Sequence, residues 1–115
     1  MTQDTAPKAG HTVFVKPLPD NVHNSGSLLK PPESCSLRAG YVALAPNEAG
    51  QEHSTESYEE MLVILSGSGM LHYSGTAEAV AARSIAYIPP HTKHFVQNTG
   101  SVTLSYVYIV TKVEL

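Results

Sequence analysis

The chain has 115 residues, enough for one domain with a core of its own. Seven Lys and Arg stand against ten Asp and Glu, a net charge of −3 with His neutral, so no basic stripe is available for nucleic acid or for an anionic membrane surface. The single cysteine, Cys35, excludes an internal disulfide, which fits a reducing, cytoplasmic setting.

Residues 1–10 are small and polar, lack the apolar core of a signal peptide, and are expected to be without fixed structure. His11-Thr12-Val13-Phe14-Val15 reads as a short strand ended by Lys16-Pro17-Leu18-Pro19. Asp20 to Pro32 is rich in Asn, Ser, Gly and Pro and reads as loop, with a turn at Leu28-Leu29; His11 and His23 fall in these polar segments and read as solvent-exposed. Cys35, between Ser34 and Ser36, reads as a small half-buried residue rather than a nucleophile. Residues 1–35 thus form a tail and arm that could supply an edge strand, and residues 36–115 form the folded domain.

Ser36 to Ala45 is the first strong strand, stopped by Pro46-Asn47-Glu48. Glu60 to Leu65 is a nearly continuous apolar run and reads as a strand buried on both faces. Ser66-Gly67-Ser68-Gly69 is a tight turn from which Met70-Leu71-His72-Tyr73 returns. Ala77 to Ala82 is too short to hold a helix unaided and reads as a strand. Ile85-Ala86-Tyr87-Ile88 must end at Pro89-Pro90, and Phe95-Val96 begins the next strand. Val102 to Val110 is the longest, with Leu104, Tyr106 and Tyr108 on one face. Many short strands with Gly, Pro and Asn turns, and no helical periodicity or long apolar span, indicate an all-β sandwich or barrel.

Two stretches carry chemistry. The first runs from Gly50 through His53, Glu56 and Glu60; the second holds His91 and His94 after the Pro-Pro corner. On a strand Glu60 shares a face with Leu62 and Ile64. A carboxylate on an apolar face is costly unless it is paired or metal-bound. If the two stretches meet, His53, Glu60 and His94 supply two imidazoles and a carboxylate, a donor set that suits iron, manganese, nickel, copper or zinc. Glu56 could add a fourth donor or act as a catalytic carboxylate, and Glu59 is the alternative inward residue. His72, on a strand, could face the barrel mouth as a substrate contact or proton shuttle. One of Tyr41, Tyr87, Tyr106 and Tyr108 could place a hydroxyl in the pocket.

These stretches resemble the two motifs of the cupins. In the second motif, Gly-(X)5-Pro-X-Gly-(X)2-His-(X)3-Asn, the matches are Pro89, His94 and Asn98, with Arg83 and His91 in the glycine places. In the first, Gly-(X)5-His-X-His-(X)3–4-Glu-(X)6-Gly, Glu60 and Gly67 match; the two histidine places fall on His53 and Thr55 with one spacing, and on Ser54 and Glu56 with the other. The resemblance covers about residues 36–110. It implies a double-stranded β-helix, the jelly-roll barrel, with one divalent metal ion inside. It also implies a small-molecule ligand, a homodimer, and an activity of the dioxygenase, isomerase or cyclase kind. A barrel that binds a small molecule without catalysis, its metal site vestigial, is the alternative, and the departures in the first motif favour it.

Overall fold

The computed structural model describes residues 11–19 and 25–114. Among the described residues nine strands form in chain order: β1 (Gly26–Leu29), β2 (Arg38–Leu44), β3 (His53–Ser54), β4 (Tyr58–Ser66), β5 (Ser68–Tyr73), β6 (Thr76–Ala81), β7 (Ser84–Ile88), β8 (Lys93–Gln97) and β9 (Leu104–Lys112). They make two antiparallel sheets, β1-β2-β9-β4-β7 and β3-β8-β5-β6. Only β1–β2 and β5–β6 are hairpins within a sheet; every other connection carries the chain to the opposite sheet. This is the jelly roll, an all-β fold. No helix among the described residues is long and apolar enough to cross a membrane.

The alternation of side chains sets the core. Leu62 and Ile64 of β4, Leu104 and Tyr106 of β9, Leu44 of β2 and Ile88 of β7 point inward from the five-stranded sheet. Leu71, Val80 and Val96 meet them from the four-stranded one. Each fully buried aliphatic side chain contributes roughly 1.5–3 kcal/mol. The apolar run of β4 is therefore one-sided rather than buried on both faces: Leu62 is 2% exposed, whereas Leu65 is 40% exposed. Its outward residues meet no covering layer among the described residues.

The Ser66–Gly69 turn is a corner between sheets, not a hairpin. β4 runs to Ser66 and β5 starts at Ser68, with Gly67 alone between them at φ 81°. A Cβ on Gly67 would collide with the Thr103 carbonyl, so the chain can cross here only on glycine. The structure also holds a strand where loop is expected: Gly26–Leu29 pairs with β2, because it lies along the free edge of that strand. Residues 11–15 form no strand. Val13 and Val15 stay exposed, with no sheet edge paired to them. Lys16 instead ties this segment to the Leu28 carbonyl and Glu33. Cys35 is exposed rather than half-buried, since it sits in the bend before β2, 3.7 Å from His11 Nδ1. His23 lies outside the described residues.

Asn98 locks the connection from β8 to β9. It is fully buried; its amide nitrogen donates to the carbonyls of Leu44 and Val102, and its side-chain oxygen accepts from the Gly100 N–H. Asn98→Ala strands these groups and is expected to cost about 3 kcal/mol, the scale of desolvated backbone groups left unpaired. Asn98→Asp is expected to cost more, because a carboxylate would face two carbonyl oxygens. Urea denaturation of the variants measures both, and an Asp variant as stable as the wild type would contradict this reading.

Candidate metal centre

The donors converge because three strands from two sheets face one another. β3 pairs with β8 so that His53 lies opposite His94, while Glu60 projects inward from β4 in the other sheet. One ligand atom each from His53, Glu60 and His94 falls within 4.8 Å of the others. Glu60 is 5% exposed and His94 2% exposed; the His53 side chain is more than half exposed and closes the group toward solvent.

Hydrogen bonds fix how the rings are presented. His94 Nδ1 is 3.0 Å from the Thr92 carbonyl, and His53 Nδ1 is 3.0 Å from the Gln51 carbonyl. A carbonyl can only accept, so in each ring Nδ1 carries the hydrogen and Nε2 is left with its lone pair. His94 Nε2 stands 2.7 Å from Glu60 Oε1, and His53 Nε2 stands 4.0 Å from the same oxygen. Yet Oε1 has no well-directed hydrogen-bond donor among the described residues. A desolvated carboxylate left in that state costs several kcal/mol. Three lone-pair donors facing one point, each ring anchored from behind by a backbone carbonyl, fit a divalent cation.

The surroundings of His94 also favour its protonated form. Burial on its own would lower the His94 pKa, but the adjacent Glu60 carboxylate and the Thr92 carbonyl outweigh it, and the pKa is raised.

A cavity of about 570 Å³ opens beside the cluster. Val42, Leu62, Val96 and Val110 make it largely apolar, and Tyr58, Tyr106 and Tyr108 bring phenol rings to it. Burial, the Glu60 charge and Tyr108 together push the Tyr106 phenol far above its ordinary value, so it keeps its proton. Of the four tyrosines considered from the sequence, Tyr106 and Tyr108 reach the cavity. Tyr87 lies on the outer surface, donating to Glu59, which settles that Glu60 and not Glu59 faces inward. Tyr41 is buried on the opposite face of β2 from Val42.

The remaining expected donors are elsewhere. Glu56 adopts φ 50° in the turn after β3, and its side chain is 73% exposed, 3.9 Å from His91 and away from the cluster. His72 points outward from β5, because Leu71 takes the inward position; it stacks on Phe95 at 4.4 Å and pairs with Gln97. Thr55, in the second histidine place of the first motif, is buried; its hydroxyl donates to the Pro89 carbonyl and accepts from the Thr92 N–H. The cavity residue that sequence reasoning missed is Arg38, the first residue of β2. Its period-two alternation with Gly40, Val42 and Leu44 was the available signal.

A two-sheet jelly roll enclosing two imidazoles and a carboxylate has the architecture of the cupin class. Residues 40–110, more than half of the chain, match the cupin domain family, and the chain belongs to that family. No curated protein matches it. A Cupin 2 conserved barrel domain protein from Salinispora arenicola is 19% identical with a TM-score of 0.73, covering 89% of this chain and 91% of that one. A predicted oxalate decarboxylase from Thermotoga maritima is 23% identical with a TM-score of 0.69, covering 75% and 76%. The cupin domain of Schizosaccharomyces pombe Cnp3 is 18% identical with a TM-score of 0.71; the match covers 77% of this chain and 64% of that one. At these identities the likeness shows the fold.

A cation on His94 Nε2 competes with protonation of the same nitrogen, which the Glu60 carboxylate favours. Its apparent affinity should therefore rise with pH, by up to about ten-fold per unit below the raised His94 pKa, and level off above it. Metal titrations at several pH values check this, and an affinity independent of pH would contradict the assignment.

Proposed function

We propose that the chain holds one divalent metal ion through His53, Glu60 and His94 and acts on a small organic molecule in the adjoining cavity. The observation that carries this reading is the presentation of two Nε2 lone pairs to one buried, orphaned carboxylate oxygen. A bound ion would supply Lewis acidity and open positions for an oxygen-bearing ligand. The Thr92 and Gln51 carbonyls hold the imidazoles in the ligating tautomer. Val42, Leu62 and Val96 keep water from the inner side of the site. The Tyr106 hydroxyl stays protonated beside Glu60 and is available to donate to a bound oxygen. Chemistry of the dioxygenase, isomerase or cyclase kind is compatible with such a site.

A non-catalytic binding barrel is the second reading, favoured by one observation: Thr55 stands where the first motif has its second histidine, which leaves three protein donors. Elemental analysis separates the two at the first step. The wild type is expected to carry about one transition-metal ion per chain. His94→Ala and Glu60→Gln should each lower that ratio at least ten-fold, while Glu59→Gln, on the outer surface, should leave it unchanged. Equal occupancy in all three variants would remove the assigned ligands, and a wild type that takes up no metal would favour the binding barrel.

We also propose a homodimer. Its support is the outer face of the five-stranded sheet, where Ile85 and Tyr87, 66% and 59% exposed, lie beside Val63 and Met61 in register. Tyr87→Lys should shift the sedimentation coefficient toward the monomer, and an unchanged value would move the interface elsewhere.

A further inference from the structure

Arg38 stands at the far end of the same cavity, and its position follows from the register. Arg38 and Glu60 both lie opposite Val110 of β9, one from each side. Two strand spacings therefore separate them, about 10 Å between backbones, at one level of one sheet. Arg38 shares the inward face of β2 with Gly40, Val42 and Leu44. Between it and Val42, the missing side chain of Gly40 is filled by Tyr108, whose ring and hydroxyl lie where a Cβ would be. The Tyr108 hydroxyl thus lies one inward position along β2 from Arg38, in the same cavity, and Arg38 has no carboxylate partner among the described residues.

Charge points the same way. Arg38 and Glu60 are the charged residues of the cavity lining apart from the histidines. Once a divalent ion sits against the single carboxylate, one positive charge remains there, and Arg38 adds a second at the opposite end. Apolar walls between the two ends give neither charge a protein counterion. Guanidinium forks bind carboxylates through two parallel, charge-assisted hydrogen bonds.

We infer that the cavity takes a small organic acid, bound with a carboxylate on Arg38 and the Tyr108 hydroxyl and with a second oxygen donor directed at the His53–Glu60–His94 cluster. The inference rests on the metal reading above and names the class of molecule the site accepts. Arg38 is a specificity residue in this scheme. It touches the end of the ligand away from the cluster, so its loss should change which ligand binds and leave metal uptake alone.

The test uses the metal-loaded full chain and two probes, 4-hydroxybutyrate and 4-hydroxybutyramide, titrated by calorimetry; both keep the hydroxyl for the cluster and only the first has a carboxylate for Arg38. 4-Hydroxybutyrate should bind at least about ten-fold more tightly, the worth of one hydrogen-bonded charge pair. Arg38→Gln should abolish that preference while the metal-to-chain ratio and melting temperature stay as in the wild type. Arg38→Lys should restore part of it, since the charge is kept and the fork is lost. A wild type with no preference for the acid over the amide, a preference that survives Arg38→Gln, or a loaded protein that binds neither probe would overturn the inference. Should the wild type take up no metal, it is the metal reading that fails. Arg38 is then read separately, by the side-chain Nε–H resonance of the metal-free protein titrated with propionate. A saturable shift supports the carboxylate seat, and its absence overturns it.

Discussion

Glu60 is the constraint on which the rest of the site depends. A carboxylate at 5% exposure, in a row with Leu62 and Ile64, would be driven out of the core unless opposite charge met it there. The second sheet provides the groups that can hold it there, as ligands of a shared cation. It places His94 against the same oxygen and His53 just beyond, through a strand pair only two residues long on the β3 side. The sandwich of the two sheets and the orientation of the donors are therefore one arrangement, since parting the sheets would leave Glu60 without a partner.

The cavity grows from the same geometry. The inward faces of β2, β9 and β4 continue past the cluster, and their side chains there are phenols, valines and one arginine. Large aromatic rings fit because β2 supplies a glycine under Tyr108. What results is a largely apolar space with a charged residue toward each end, Arg38 being exposed and Glu60 buried. A ligand of the proposed kind would be selected there by the separation of its polar groups as much as by their number.

The barrel was legible in the sequence because its signals are local. Pro89-Pro90, the turn glycines and the alternation of Leu104, Tyr106 and Tyr108 each state a strand or a break within a few residues. The triad was legible too, since Glu60 interrupts an apolar face and the histidines flank proline-bounded strands. Harder to see was anything that depends on which sheet a strand joins. Leu65 looks buried in the linear run and is exposed because no layer among the described residues covers that face. His72 could be given either face until the pairing with β8 fixed it. Arg38 went unread because its distance from Glu60 is set by a shared partner on β9, 72 positions from Arg38 along the chain and 50 from Glu60. Arg83 and His91 stand where the family motif has glycine, yet both adopt positive φ, 68° and 56°. The backbone keeps the motif's shape even where its residues have changed.

Thr55 gives this last point a sharper form. Its hydroxyl closes two hydrogen bonds to the Pro89–Thr92 corner, so the strand that carries His53 is fastened to the strand that carries His94. Restoring a histidine at that position would not simply complete a four-ligand set. It would unfasten the corner whose rigidity aims the other two rings, and a larger coordination sphere would come with less well held members. For the proposed ion, ligand number and ligand alignment would compete for a single side chain, and Thr55 serves alignment.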